Sequence, residues 1–327
     1  MKSIGIIGSG TAGLVAALIL RQRYHNYNIT VVSSKEIGII GVGEGTTEHW
    51  KDFANFCGLN LVDCIVEADA TFKYGVMFKG WTKQDYLHYI QARPHGLTLA
   101  QYPFFWGHFI SNNFSSQQVH PPNTWNSLIN KMDHPNQFHF NTYKLNKFLQ
   151  KVCESRNIKF IEDTIKEVNI KGDQIKYVKG KQKHTFDFYI DSTGFKKLLI
   201  GKLGAQWISY KESLPMNEVI AFQTPDTPQY SAWTLAQAMS AGWLWRIPTW
   251  GRWGNGYVYN NKYINAAQAK KECEKILKQK INVAKNIKFD PGKVDKPWIG
   301  NCCAIGLSSN FIEPLEASNI GIAINQA

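Results

Sequence analysis

The chain of 327 residues is long enough for one large domain or two ordinary ones, and 44% of its residues are hydrophobic, as in a globular protein. Beyond the first 20 residues, no apolar run reaches the roughly 18 residues of a transmembrane helix. A net charge of +12 would suit an anionic partner, but the lysines are scattered and no nucleic-acid-binding module accompanies them. Composition therefore argues against both nucleic acid and membrane as partners.

The six cysteines show neither a CxxC spacing nor a His/Cys ligand pattern, so we expect free thiols and no metal site. The N-terminus carries Lys2 and an apolar run to Leu20 that imitates a signal peptide. Glycines interrupt that run, and no small-residue cleavage site follows it. We therefore expect an intracellular, cytoplasmic protein.

The first elements predicted are a strand, a glycine turn, a helix and a second strand that begins near Asn28. Three glycines form GxGxxG between the first strand and the helix: one permits the tight turn, one lets the backbone approach a pyrophosphate, and one lets the helix pack on the strand. The helix N-terminus faces the anion. This unit predicts dinucleotide binding by Gly8, Ser9, Gly10, Thr11, Ala12 and Gly13.

An acidic residue that binds the adenosine ribose is expected at the end of the second strand, but Ser33 and Ser34 stand there, with Glu36 close by. Either the serine hydroxyls contact the ribose or Glu36 reaches back. The missing acid argues against NAD, and the lack of a nearby Arg argues against NADP. The glycine-rich loop IGVGEGTTEHW (40–50) follows, and it is either a linker or a cover over a bound cofactor.

Residues 70–81, ATFKYGVMFKGW, predict one strand with alternating faces. The pattern of residue types alone favours a solvent-exposed face for both of its lysines, Lys73 and Lys79. Farther along, the segment 93–135, rich in Pro, Asn and His, predicts a lid or a poorly ordered loop.

The second half of the chain continues the pattern of an α/β protein. Residues 160–190 predict a three-strand meander with turns at 171–173 and 179–181. A buried strand ends at Asp191, and residues 300–321 predict a strand, a glycine turn and the start of a helix. The lysines and glutamates at 270–280 predict the solvated face of an amphipathic helix.

Five segments resemble signatures of one family, and GWLWRIP matches its WxWxIP pattern at all four fixed positions. The segments resemble motifs of the flavin-dependent halogenases, the group that contains the tryptophan halogenases. In chain order they are IGVGEGTT (40–47), FKYGVMFKGW (72–81), FHFNTYKLNKFL (138–149), GWLWRIP (242–248) and GLSSNFIEPLEASNIG (306–321).

The resemblance implies an α/β fold: an FAD-binding, Rossmann-like domain of the flavin monooxygenase type with a β-rich sheet on the substrate side. It also implies an enzyme that uses reduced FAD, O2 and halide to make hypohalous acid and to halogenate an electron-rich aromatic substrate. A separate flavin reductase would supply the reduced FAD, and a homo-oligomer is possible.

The resemblance also assigns catalytic roles. It places the catalytic lysine at Lys73, in a partly desolvated position that suits a haloamine or a hydrogen bond to hypohalous acid, and it leaves Lys79 solvent-facing. The second catalytic group corresponds to Glu316, which would accept the proton released by the ring. Glu313 is expected to order the turn before it.

Further residues would bind the cofactor and the halide. The halide site corresponds to the backbone amides of Ser318 and Asn319 at a helix N-terminus. Leu307 and Ile320 would flank the isoalloxazine. The remaining cofactor contacts are expected from Ser33, Ser34, Gly43 and Gly45.

The sequence departs from the family at several positions. Ala317, Ser318 and Asn319 replace the usual Ser, Thr and Gly, and Ser33 replaces the ribose acid. The sequence stops soon after Glu316, where relatives continue into a helical region that closes the substrate pocket. Two alternatives to a halogenase therefore stay open, namely a shortened, non-catalytic flavin-binding relative and an FAD-dependent aromatic monooxygenase.

We expect one discontinuous module over residues 1–327. Its FAD-binding core would comprise residues 1–80, 140–200 and 285–327. Residues 85–135 and 200–260 would form the β-rich part that faces flavin and substrate.

Overall fold

The computed structural model describes residues 2–39, 44–89, 137–227, 231–313, 315 and 318–327. The predictions for Gly43, for Glu316 and for the segment 93–135 lie outside these residues. No helix in the described part of the chain is long and apolar enough to cross a membrane.

The described residues form six α-helices and twenty-two strands. The helices are α1 (Thr11–Arg23), α2 (His49–Phe56), α3 (Leu61–Glu67), α4 (Thr142–Ser155), α5 (Ala266–Leu277) and α6 (Asn319–Gln326). The strands are β1 (Ser3–Ile7), β2 (Asn28–Ser33), β3 (Glu44–Gly45), β4 (Thr71–Phe72), β5 (Gly75–Lys79), β6 (Tyr86–Tyr89), β7 (Phe138–Phe140), β8 (Lys159–Glu162), β9 (Glu167–Lys171), β10 (Gln174–Lys179), β11 (Lys183–His184), β12 (Phe188–Asp191), β13 (Trp207–Ser209), β14 (Glu218–Pro225), β15 (Thr234–Met239), β16 (Gly242–Thr249), β17 (Arg252–Tyr259), β18 (Val283–Lys288), β19 (Gly292–Val294), β20 (Trp298–Ile299), β21 (Cys302–Ala304) and β22 (Asn310–Phe311).

A six-stranded sheet in the order β20-β21-β12-β1-β2-β8 is parallel except for β20. Residues 4–7 of β1 and 29–32 of β2 are buried without interruption, as expected for strands covered on both faces. Ile6, Val31 and Leu14 are fully buried in a cluster shared with the helices on one face. The strand, glycine turn, helix and strand predicted at the N-terminus are present as β1, α1 and β2, and the α/β fold is confirmed.

The opposite face is covered by the meander β9–β10–β11, which contributes Ile175 and Val178 to a second core. The meander turns fall where the sequence predicts them, between β9 and β10 and between β10 and β11. The strands predicted at both ends of this segment, β8 and β12, belong to the parallel sheet instead. The meander is therefore an insertion between β8 and β12 of the parallel sheet.

A seven-stranded sheet in the order β18-β14-β17-β16-β15-β5-β6 forms the second layer. Its pairs are antiparallel except for β15 with β5. Helix α5 packs on one face through Ala269 and Cys273, and it begins with a capping box between Asn265 and Gln268. The amphipathic helix predicted at 270–280 is confirmed.

The single strand predicted over residues 70–81 is wrong. The chain forms β4 in a small sheet of order β3-β7-β4 and then β5 in the seven-stranded sheet. Alternation breaks between the two strands, so that Phe72 is 43% exposed whereas Lys73 and Tyr74 are buried. The solvent-exposed face that residue types favour for Lys73 is therefore also wrong, while Lys79 is exposed.

This change of sheet bears on the predicted organisation of the chain. Strand β5 lies inside the range 1–80 assigned to the FAD-binding core, yet it pairs with β15. The division of the module into its two parts stays a prediction.

Asp191, at the carboxyl end of β12, fixes the loops at that edge of the parallel sheet. Its fully buried carboxylate accepts hydrogen bonds from Thr193, from the backbone N–H groups of Leu199 and Ile200, and from the hydroxyl of Ser308. Because these donors come from segments more than 100 residues apart in sequence, one side chain ties β12 to the turn after β21.

We expect Asp191→Asn to lower the free energy of unfolding by about 2 kcal/mol or more, because an amide NH2 would face buried N–H donors. Urea unfolding measures the change. Asp173→Asn, in the exposed turn between β9 and β10, is the matched control and should cost less than about 0.5 kcal/mol. Equal stability of the two variants would contradict this role of Asp191.

Candidate functional site

A cavity of about 640 Å³ lies between the carboxyl ends of the parallel strands and the seven-stranded sheet. Ligands bind at this edge of open α/β sheets because the loops that follow the strands converge there. Many of the residues predicted to bind cofactor or halide line it, namely Gly8, Ser9, Gly10, Thr11, Ala12, Ser33, Ser34, Gly45, Leu307, Asn319 and Ile320. Gly13 and Ser318 do not, and Gly43 lies outside the described residues.

The space that a side chain would find differs among the three glycines of the first turn. Gly8 has a φ of +111°, and a Cβ there would meet the carbonyl of Ser192. A Cβ on Gly13 would overlap the carbonyl of Gly8, so the third glycine serves helix packing. A Cβ on Gly10 would have no protein atom within 4 Å. The cavity is therefore open at Gly10, next to the N-terminus of α1, which fits a diphosphate.

The far end of the cavity follows β2 and β8. Ser33 and Ser34 line it, whereas Glu36 is exposed and does not. Thr164 donates a hydrogen bond to Ser34 Oγ at 2.6 Å. Of the two alternatives for the ribose, this arrangement favours the serine hydroxyls over Glu36.

Sequence reasoning missed Asp163, a carboxylate at the same end of the cavity. It is 3% exposed, and its oxygens accept hydrogen bonds from the backbone of Lys181 and Gln182 and from the ring of His184. Burial alone would raise the pKa of Asp163, but these donors outweigh it and hold the pKa at about 2. The sequence signal that could have identified Asp163 is its position directly after β8, the strand that pairs with β2.

The seven-stranded sheet supplies the apolar wall of the cavity. Trp245 and Ile247, both from the WxWxIP segment, line it. The indole N–H of Trp245 is buried and has no hydrogen-bond partner in the described part of the chain. Trp243 instead donates its indole N–H to the carboxylate of Glu313. Burial raises the pKa of Glu313, and the indole hydrogen bond opposes that rise.

Lys73 lies in a separate, fully buried site built by the small sheet β3-β7-β4. Its Nζ donates to the carbonyl of Thr46 at 2.9 Å, and its backbone N–H donates to the carbonyl of Gln137 at 3.0 Å. Thr46 is in turn hydrogen-bonded to Phe138 through its backbone N–H and its hydroxyl. Three distant chain segments therefore enclose the amine.

His139, which sequence reasoning also missed, is fully buried on the same small sheet. Its Nδ1 lies 3.2 Å from Thr71 Oγ1, and its Nε2 lies 2.9 Å from Thr234 Oγ1. The Thr71 hydroxyl donates its proton to the carbonyl of Pro248 at 2.6 Å, so we assign the ring proton to Nδ1 and the acceptor role to Nε2. Burial, and then the charge of Lys73, lowers the pKa of His139 well below its usual value.

Thr234 connects this buried site to the cavity because it lines the cavity and also contacts His139. The alternation in FHF (138–140), with a histidine between two core phenylalanines, was the only sequence signal for His139. Neither its threonine partners nor its closeness to Lys73 follows from that signal.

The predicted halide site lies at the start of α6, where Gly321 packs closely against Thr47, the residue after Thr46. Asn319 is the first residue of α6, and Ser318 precedes it. Asn319 and Ile320 line the cavity, so a helix N-terminus borders it there. Glu316 and Ala317 lie outside the described residues, and the distance between Glu316 and Lys73 stays untested.

A protein-family model described as tryptophan halogenase matches residues 3–327. The 7-chloro-L-tryptophan 6-halogenase KtzR of Kutzneria sp. (strain 744) is 31% identical over 96% of this chain and 69% of its own length. The tryptophan 6-halogenase SttH of Streptomyces toxytricini is 28% identical over 96% of this chain and 68% of its own length.

Solved structures agree with these sequence matches. A flavin-dependent halogenase from Xanthomonas campestris superposes with a TM-score of 0.89 and 28% identity, over 99% of this chain and 69% of that one. The crystal structure of SttH from Streptomyces toxytricini gives a TM-score of 0.86 and 26% identity, over 98% of this chain and 70% of that one.

The neutral state of His139 makes stability depend on pH. Unfolding restores its usual pKa near 6.5, so below about pH 6.5 the unfolded chain binds a proton that the folded chain excludes, and stability falls as pH falls. We expect Tm to drop more between about pH 7.5 and about pH 5.5 in the wild type than in His139→Gln.

Thermal unfolding at both pH values measures this difference. His25→Gln, at an exposed histidine just after α1, is the control and should retain the pH dependence of the wild type. Equal pH dependence in wild type and His139→Gln would contradict a buried neutral imidazole.

Proposed function

The chain belongs to the tryptophan halogenase family, and from that premise we propose that it uses reduced FAD, O2 and halide to make hypohalous acid and to halogenate an electron-rich aromatic substrate. The observation that carries the proposal is the fully buried amine of Lys73, held by the carbonyl of Thr46 on a small sheet whose His139 contacts Thr234 in the cavity wall. A lysine buried to this degree is chemically costly and marks functional sites.

FAD fits the cavity by the chemistry of its lining. The open face of Gly10 and the N-terminus of α1 would hold the diphosphate. Ser33 and Ser34 would contact the ribose, and Leu307 and Ile320 would flank the ring system. When bound, reduced FAD supplies the electrons that activate O2 for halide oxidation.

The residues of this chain would act both before and after the halide is oxidised. The backbone amides at Ser318 and Asn319 would hold the halide before oxidation. The apolar side chains of Trp245 and Ile247 would exclude water from this side of the cavity. A dry cavity would protect hypohalous acid from loss to bulk water. Lys73 then either attacks the halogen as a neutral amine or donates a hydrogen bond to the hypohalous oxygen.

When the halogen leaves hypohalous acid, the oxygen departs as hydroxide and takes a proton from the nitrogen of Lys73 to become water. Transfer of the halogen to an aromatic ring then releases one proton from the ring carbon. We propose Glu316 as the acceptor of that proton. The relatives are named for tryptophan, so we propose an indole as the substrate class to test first, with reduced FAD delivered by a separate reductase. The cysteine pattern keeps a cytoplasmic location as our prediction.

Halogenation of indole tests the reaction. With a flavin reductase, FAD, bromide and O2, we expect the wild type to give a product heavier by one bromine, and Lys73→Ala to lose about 100-fold or more of the rate because the reacting amine is gone. Mass spectrometry measures both.

The matched control is Lys79→Ala, which removes an exposed lysine six residues away and should keep the rate of the wild type. No brominated product from the wild type, or equal product from Lys73→Ala, would overturn the proposal. Halide-independent insertion of oxygen would identify a monooxygenase instead.

FAD affinity tests the ribose contact. Because each lost hydrogen bond weakens binding modestly, Ser33→Ala combined with Ser34→Ala should raise the dissociation constant for FAD by about 3- to 10-fold, whereas Glu36→Gln should change it less than about 2-fold. Flavin fluorescence quenching measures both. FMN lacks the adenosine and should bind all variants alike; the reverse ranking of the two variants would assign the ribose to Glu36.

A further inference from the structure

Gln137 is a fully buried glutamine whose side-chain amide has no hydrogen-bond partner among the described residues. Neither the Nε2 donor nor the Oε1 acceptor of this amide has a partner in that part of the chain. Buried amides that lack partners are rare in folded proteins, because burial removes the water that would otherwise satisfy them. Such a group indicates a polar molecule that binds there.

The strand register places this amide beside the reactive amine. Strands β4 and β7 pair Thr71 with His139 and Phe72 with Phe138. The next pair in this register is Lys73 with Gln137, and the hydrogen bond from the backbone N–H of Lys73 to the carbonyl of Gln137 continues it. Residues directly opposite each other on antiparallel strands project from the same face.

The side chain of Lys73 also extends across the small sheet toward the side chain of Gln137. In the order β3-β7-β4, Lys73 follows β4 and its Nζ contacts the carbonyl of Thr46, which follows β3. The side chain of Lys73 therefore spans the middle strand next to Gln137. It ends in the part of the small sheet where the unpaired amide lies.

The neighbours of Gln137 on this face already have partners. His139 is paired with two threonine hydroxyls, and Lys73 is paired with Thr46. Gln137 offers a donor and an acceptor but no charge. A halide ion could accept from the amide N–H groups but would leave the amide oxygen without a donor. A large ring would need more room than the surroundings of a fully buried side chain offer. A small neutral molecule with one O–H group matches both ends of the amide.

We propose that the side-chain amide of Gln137 forms hydrogen bonds with the O–H group of hypohalous acid and holds the acid beside the amine of Lys73. Water takes the same position between turnovers. The inference rests on the proposed function, because that reaction supplies the hypohalous acid. Gln137 transfers no proton and forms no bond to the halogen; it increases the fraction of hypohalous acid that Lys73 captures before the acid escapes.

The experiment measures where oxidised bromide goes. Wild type and Gln137→Met are supplied with reductase, FAD, bromide, O2 and indole, together with an enolic trap in solution that reacts with free hypobromous acid. Methionine keeps the volume of the side chain but removes both hydrogen-bonding groups. We expect the ratio of trapped bromine to brominated indole to rise about 3- to 10-fold in Gln137→Met, with total oxidised bromide unchanged.

The fold is checked independently of turnover by the affinity for FAD and by Tm. Both should stay at the wild-type values in Gln137→Met, or Tm should rise, since the variant removes an unpaired buried amide. The control is Gln150→Met, at a glutamine on α4 that pairs with Glu154 at the surface, and it should retain the wild-type ratio of trapped to captured bromine.

The failures of the two proposals are distinguishable. A wild type that oxidises no bromide overturns the proposed function and this inference with it. An active wild type with the same ratio in Gln137→Met overturns this inference alone. Loss of FAD binding or a lowered Tm in Gln137→Met would make Gln137 a structural residue and also overturn it.

Discussion

The constraint on which the structure depends is the burial of the amine of Lys73 between two sheet systems. Taking a lysine out of water is strongly unfavourable unless fixed dipoles replace the solvent. Here a carbonyl from the segment after β3 does so, and β7 supports both that segment and the lysine backbone. The small sheet lies where the chain passes from the parallel layer to the seven-stranded layer, and its position determines that of the amine.

The neutral state of His139 follows from the same constraint. Burial, and then the charge of Lys73, lowers the pKa of His139, so the imidazole stays unprotonated and is held by two hydroxyls. One of these hydroxyls belongs to Thr234, which also lines the cavity. His139 therefore links the wall of the cavity to the small sheet that holds the amine.

The cavity depends on carboxylates that receive several N–H groups at once. Asp191 and Asp163 each sit at the carboxyl end of a parallel strand and fix the loops that form the walls. The glycine turn is tied to the same edge by Ser192, whose hydroxyl oxygen lies 2.9 Å from the carbonyl oxygens of Ile7 and Gly8. Walls fixed in this way would lower the entropic cost of binding a ligand.

The sequence by itself determined what depends on neighbours along the chain: the β1–α1–β2 unit with its glycine turn, the turns of the meander, the capped amphipathic helix α5, and the family, through motifs kept in order. Only the tertiary structure decided that Lys73 leaves the alternation of its segment, that Asp163 lies beside Ser33 and Ser34, and that His139 and Gln137 share a face with the lysine. Alternation and propensity describe a strand against a single sheet, whereas these residues obtain their surroundings from partners far away in sequence. The cost of burying a charge or an amide depends on those partners, and pairing between strands brings them together.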